Sequence, residues 1–163
     1  MKKLSFFTLI ELALAVLTIS LLTIFGVLVA RNNIRQKALE TELLNSIDNA
    51  VEVCSSYSQK INIEENLADD MNIYVANIQN EKSIPRKAYY TRIMLTYTQN
   101  RVNMNDPKTL FELAQELGDK YTTSSAEITA YQNYIEEIRD AFSRFNAAVN
   151  EYNNFKPDTR VSQ

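Results

Sequence analysis

Hydrophobic and polar residues follow two different patterns along the chain. From Phe6 to Ala30 the sequence is predominantly apolar and carries one charge, Glu11. A helix over this 25-residue block would be roughly 37 Å long, more than the ~30 Å hydrocarbon core of a bilayer. A cleavable secretory signal has a shorter apolar run, about 7–15 residues, followed by a small-residue site. Ala13-Leu14-Ala15 imitates such a site but falls inside the run. The block therefore predicts a retained transmembrane helix.

After Arg31 the continuous run gives way to a stripe. Leu39, Leu43, Ile47, Ala50, Cys54, Tyr57 and Ile61 recur at spacings of three and four, which is one face of a helix. No Gly or Pro interrupts residues 27–84, so the stripe reads as a continuation of the same helix. Leu67, Met71, Tyr74, Val75 and Ile78 resume helical spacing after the polar patch Ile63-Glu64-Glu65-Asn66, where a bend or break is expected. Ser83-Ile84-Pro85 marks a boundary, because proline restricts the residue before it. The segment Ala88–Val102 reads two ways. Tyr89, Thr91, Ile93, Leu95 and Tyr97 alternate as in a strand, whereas Tyr90, Ile93, Met94 and Tyr97 suit a helix. Helix is preferred for want of a strand partner, and a short strand at 88–102 stays open.

Asp106-Pro107 has the chemistry of an N-cap and first helical position, and Gly118 that of a helix stop. A short helix Pro107–Leu117 is expected between them. Ser124 and Glu127 form a capping-box pair. From there Ile128, Tyr131, Ile135, Ile138, Phe142, Phe145, Val149 and Tyr152 keep alternating spacings of three and four, a coiled-coil-like seam. Packing of this seam inside the chain is preferred to an intermolecular zipper. Lys156-Pro157 ends it. The fold class is mainly α: a long N-terminal transmembrane helix continuing into an extramembrane helical bundle. Its parts are a basic leader (1–6), the transmembrane half of the first helix (7–30), its amphipathic extension (31–62), a helical body (63–156) and a loose tail (157–163).

Composition narrows the function classes. Lys plus Arg is 17 and Asp plus Glu 20, a net charge of −3, without the basic footprint that nucleic-acid binding needs. The absence of His removes the commonest general acid–base side chain and every His-containing triad or metal set. Two Gly leave no phosphate loop, and Cys54 has no second cysteine for a disulfide. Glu64-Glu65 and Asp69-Asp70 lack the Gly-containing loop of a calcium site and read as a solvated face, as do Glu136, Glu137 and Asp140. Cys54 lies on the buried stripe as a small apolar residue, and the nine Tyr sit mainly at core edges. Neither an enzyme, a cofactor nor a metal is expected.

The flanking charges do not orient the membrane helix. Lys2, Lys3 and the start amine stand before it, and Arg31, Arg35 and Lys37 after it, a near draw by the positive-inside rule. Glu11 is more informative, since a carboxylate in a hydrocarbon span usually has a partner or a role. The plainer reading is that it snorkels to the headgroups from five residues inside the block.

Lys2-Lys3 followed by Phe7-Thr8-Leu9-Ile10-Glu11-Leu12 and an apolar run resembles the N-terminus of type IV prepilins and pseudopilins. The resemblance continues through Gly26-Val27-Leu28-Val29, Ile34-Arg35 and Ala38 to Val51, about 50 residues. It implies cleavage by a prepilin peptidase between Phe6 and Phe7 and methylation of the new Phe7 amine. It implies that Glu11 meets the first-residue amine of a like or related pilin subunit during assembly through the N-terminal helix. It also implies a single-pass protein of the bacterial inner membrane, in contact with its lipid, with the C-terminal body outside the cytoplasm and a place in a filament after processing. The family usually has Gly before the cut, where Phe6 stands here.

A second resemblance lies in the last helix. Ile138, Ala141, Phe145-Asn146, Ala148-Val149 and Tyr152-Asn153 look like the C-terminal helix of LemA-family proteins, which are membrane-anchored helical bundles. The Leu-Ile-Pro-Asn-Leu-Val segment of that family is missing after the anchor. This resemblance implies a permanently anchored adaptor or scaffold and ranks second.

Overall fold

The structure is a computed structural model that describes residues 6–60, 67–104 and 125–155. These form four helices: α1 (Phe6–Lys60), α2 (Leu67–Asn80), α3 (Ile84–Met104) and α4 (Ser125–Phe155). Among the described residues there is no strand, and the mainly α expectation holds. The strand alternative at 88–102 does not, because that whole segment lies inside α3. The short helix expected at Pro107–Leu117, the polar patch at 63–66 and the tail at 157–163 lie outside the described residues.

The chain divides into two units, Met1–Ala38 and Leu39–Gln163. In the first, every residue from Thr8 to Arg35 is exposed. No internal contact favours this stretch as a helix, so its order is that of backbone hydrogen bonding in good helix formers. Three hydroxyls within it are satisfied locally. Thr18, Ser20 and Thr23 donate to the carbonyls of Leu14, Val16 and Ile19, each at 2.8 Å. This back-bonding leaves no orphan donor from those side chains in an apolar setting.

The second unit is a bundle with one core in two clusters, and each cluster draws on all four helices. The larger contains Leu43, Ile47, Ala50 and Cys54 from α1, and Met71 and Ile78 from α2. Ala88, Met94 and Leu95 from α3 and Phe145, Ala148, Val149 and Tyr152 from α4 complete it. The smaller contains Tyr57, Leu67, Val102 and Ile138, one residue from each helix. Following the chain, α1 runs from the larger cluster to the smaller, α2 back, α3 out again and α4 back. The described helices from Leu39 onward therefore run up-down-up-down.

The α2–α3 connection is three residues, Glu81–Ser83. The Glu81 carboxylate accepts from the backbone N–H groups of Lys82 and Ser83 at 2.9 and 3.0 Å. It also faces the Arg86 guanidinium at 3.6 Å. Ser83 starts the helix through its carbonyl, which accepts from the Lys87 N–H at 2.9 Å. Pro85 sits in the first turn, where a missing N–H costs nothing. Tyr97 on α3 donates its hydroxyl to Asp70 on α2 and stacks at a tilt on Tyr74, with ring centres 5.2 Å apart. Asp70, expected on a solvated face, is instead a half-buried acceptor between two helices.

The α4 seam packs inside the chain, as preferred. Ile138, Phe145, Val149 and Tyr152 are buried, and Ala141 and Ala148 join them. Phe145 is fully buried, and the Arg92 guanidinium of α3 lies 5.6 Å from its ring centre. Phe145→Ala removes the ring and leaves a cavity. It is expected to cost about 3–5 kcal/mol in denaturant unfolding of the detergent-solubilised chain, whereas Ile34→Ala, at a site 70% exposed, should stay within about 0.5 kcal/mol.

The turn adds a pH dependence. The Ser83 N–H, helped by the Lys82 N–H and the Arg86 charge, holds the Glu81 carboxyl below its usual 4.5. A group with a lowered folded value contributes stability above its unfolded value and loses it as pH falls through the folded one. Bundle stability should therefore decline on acidification below about pH 4.5. In Glu81→Gln that part of the acid dependence should vanish, read as the difference between the two unfolding curves across pH 3–6.

Candidate functional site

The residues Phe6, Phe7 and Glu11 all fall in α1. Phe6 opens the helix, so the Phe6–Phe7 bond lies in its first turn. Glu11 follows one turn beyond Phe7 and is exposed. Its carboxylate has no hydrogen-bonding or ionic partner among the described residues. Glu11 thus differs from Thr18, Ser20 and Thr23, whose polar groups are closed off within the helix.

Around it the surface is apolar on all sides. Fourteen large apolar side chains between Leu9 and Val29 are exposed, from 41% at Ile10 to 67% at Phe25. At about 1.5–3 kcal/mol for a full side chain, with a little over half of each exposed, leaving them in water costs roughly 12–24 kcal/mol. That is on the scale of the about 5–15 kcal/mol stability of a typical folded domain, or above it. α1 is long and apolar enough to cross a membrane. Gly26 has open space where a Cβ would stand, so nothing within the chain requires glycine there. A glycine in a helix interior costs about 1 kcal/mol against alanine.

The body offers a different kind of chemistry, and little of it. Cys54 of α1 is fully buried, and burial pushes its thiol up to about 11, with a side-chain hydrogen bond shared with Thr98 of α3 pulling the other way. A thiol in this state is a core residue and a poor nucleophile. Thr91 and Thr98 line the same face of α3, and both donate to carbonyls four residues back, Lys87 and Met94, at 2.8 Å. Sequence reasoning missed these two threonines as core residues, and their seven-residue spacing was the available signal. The buried Nε of Arg92 has no hydrogen-bond partner among the described residues, and its guanidinium carbon lies over the Phe145 ring. Among the described residues no three Cys, Asp or Glu side chains gather as a metal site. Glu136, Glu137 and Asp140 are exposed as expected, and Asp140 pairs with Arg144 one turn on.

No family model, curated protein or solved structure matches the chain.

The burial of Cys54 makes a prediction with a sign. Its folded value is above the usual thiol value of 9.0, so its contribution is present below about pH 9 and is lost as pH rises toward about 11. At pH 8 a disulfide reagent should label the native chain at least about a hundredfold more slowly than the chain in guanidinium. Equal rates in both states would show that Cys54 is accessible.

Proposed function

We propose that the chain is a membrane-inserted structural subunit that assembles through its N-terminal helix, in the manner of type IV pilins and secretion pseudopilins. Its body stands outside the cytoplasm, and the first subunit-to-subunit contact is made within the membrane. The observation that carries this reading is Glu11: a single carboxylate, without an internal partner, on an exposed apolar helix one turn after Phe7. Once packed helices exclude water, a charge in that position is costly until a cation meets it. A new amine on Phe7 of a neighbouring subunit supplies one. Apolar side chains on every side of the helix give the neighbour a surface to pack on.

A second reading, a permanently anchored helical adaptor of the LemA kind, is favoured by one observation. The segment 88–102 is helix, and the described body contains no sheet, whereas most pilin bodies carry an antiparallel sheet. Phe6 in place of the usual Gly before the cut fits this reading as well.

The two separate on processing. Co-expressed with a prepilin peptidase, the chain is expected to lose residues 1–6 and to show a methylated Phe7 by mass spectrometry. An intact Met1 with and without the peptidase favours the anchored adaptor. Glu11→Ala should leave membrane insertion unchanged and reduce cross-linked subunit ladders by about a hundredfold or more, the scale of a lost buried ion pair. Ladders unchanged in Glu11→Ala would remove Glu11 from assembly.

A further inference from the structure

Two grooves lie along α1 in the first unit. One is lined by Thr18, Leu21, Leu22, Ile24, Phe25 and Leu28. The other is lined by Phe25, Leu28, Val29, Arg31, Asn32 and Arg35. They share Phe25 and Leu28, so they form one trough on one helix face, apolar for its first half and basic at its end. The Thr18 hydroxyl is turned back to the Leu14 carbonyl and leaves the apolar half without a free donor. Arg31 and Arg35 are one turn apart, exposed, and on the same flank of the helix. Asn32 stands beside them with a side-chain amide.

From Thr18 to Arg35 the trough spans roughly 25 Å at the helical rise, of which the part from Leu21 onward is roughly 21 Å. Half of a bilayer, headgroups included, is about 20–22 Å. The part from Leu21 to Arg35 has the length and the polarity profile of one phospholipid: hydrocarbon against Leu21, Leu22, Phe25 and Leu28, and an anionic headgroup against Arg31, Asn32 and Arg35. Guanidinium groups bind phosphate in a forked geometry, and five N–H donors each leave capacity beyond any contact within the chain.

We propose that this trough is a binding site for an anionic phospholipid, held by its phosphate on Arg31 and Arg35. The site rests on the membrane-embedded part of the proposed function and not on assembly or processing. Charge complementarity selects the occupant, since two adjacent cations favour a lipid with net negative charge over a zwitterionic one. A bound lipid would also fix the depth of α1, because the Arg31–Arg35 turn stays at the phosphate level.

The test uses the full chain in nanodiscs of phosphatidylcholine and phosphatidylglycerol, mixed equally and with identical acyl chains. Lipid adducts retained by the released protein are read by native mass spectrometry. Phosphatidylglycerol adducts are expected to exceed phosphatidylcholine adducts by about fivefold for each arginine. The excess should disappear in Arg31→Gln/Arg35→Gln and persist in Lys2→Gln/Lys3→Gln. Equal retention of the two lipids by the wild-type chain overturns the site, as does an excess that follows Lys2 and Lys3 instead. Flotation with phosphatidylcholine vesicles is measured alongside: a chain that fails to float loses the membrane anchor itself, whereas one that floats without selecting phosphatidylglycerol loses the lipid site alone.

Discussion

The constraint on which the rest depends is the uncovered apolar surface between Leu9 and Val29. Its cost in water is on the scale of the whole stability of an ordinary domain or above it, and every residue from Thr8 to Arg35 is exposed. A surface of that size needs lipid, or other copies, or both in turn. The polar groups inside it are consistent with lipid. Three hydroxyls are closed onto carbonyls of the same helix, which is what a low-dielectric medium demands. The proposed function and the proposed lipid site both begin from this exposed surface.

The body solves a separate problem with different means. Its bundle is built on small and medium side chains as much as on large ones: Ala50, Cys54, Ala88, Thr91, Thr98, Ala141 and Ala148 are all buried. Small residues let helices approach closely, and the larger Tyr57, Phe145, Leu43 and Ile47 fill the spaces between. Polar groups at the edges then fix the pairings. Tyr97 with Asp70 ties α2 to α3, and burial together with the Asp70 carboxylate raises the Tyr97 hydroxyl above its usual value, so it remains the donor. Arg101 lies 5.2 Å from the same ring centre and completes a cation, ring and carboxylate set on the bundle surface.

How much of this could be read in the sequence depended on whether the core face was apolar. The α1 stripe Leu39–Tyr57, the α2 stripe Leu67–Ile78 and the α4 seam from Ile138 onward were legible, because large apolar residues mark each buried face. In α3 the buried face is Ala88, Thr91, Met94, Leu95, Thr98 and Val102. Two threonines and an alanine carry little hydrophobic signal, so the more conspicuous Tyr89, Ile93 and Tyr97 suggested an alternation that the fold does not use. Tyr89 is in fact exposed, and Ile93 and Tyr97 are half-buried. Hydroxyls that bond their own helix behave as apolar groups toward the core. Asp70 was misplaced for a related reason, since its partner is 27 residues away and no local pattern announces it. Glu11 stood out at once, but only its surroundings showed that no part of the described chain answers its charge.

That unanswered charge also limits what α1 can do in a membrane. An ionised carboxylate is acceptor-only, and no described side chain donates to Glu11 or pairs with it. At roughly 7–8 Å beyond Phe6 along the axis, Glu11 is within a side chain's reach of the headgroup layer, and water there tolerates it while the helix is alone. Lateral packing of helices would exclude that water, and the carboxylate would then need a cation beside it. In the proposed assembly the neighbouring amine fills that role, so the pair neutralises itself as the water leaves. In a permanent anchor nothing excludes the water, and Glu11 carries no penalty to be relieved. The same residue therefore costs little in the lone subunit and discriminates strongly in a packed one, which favours assembly over anchorage as the reason for a carboxylate at this depth.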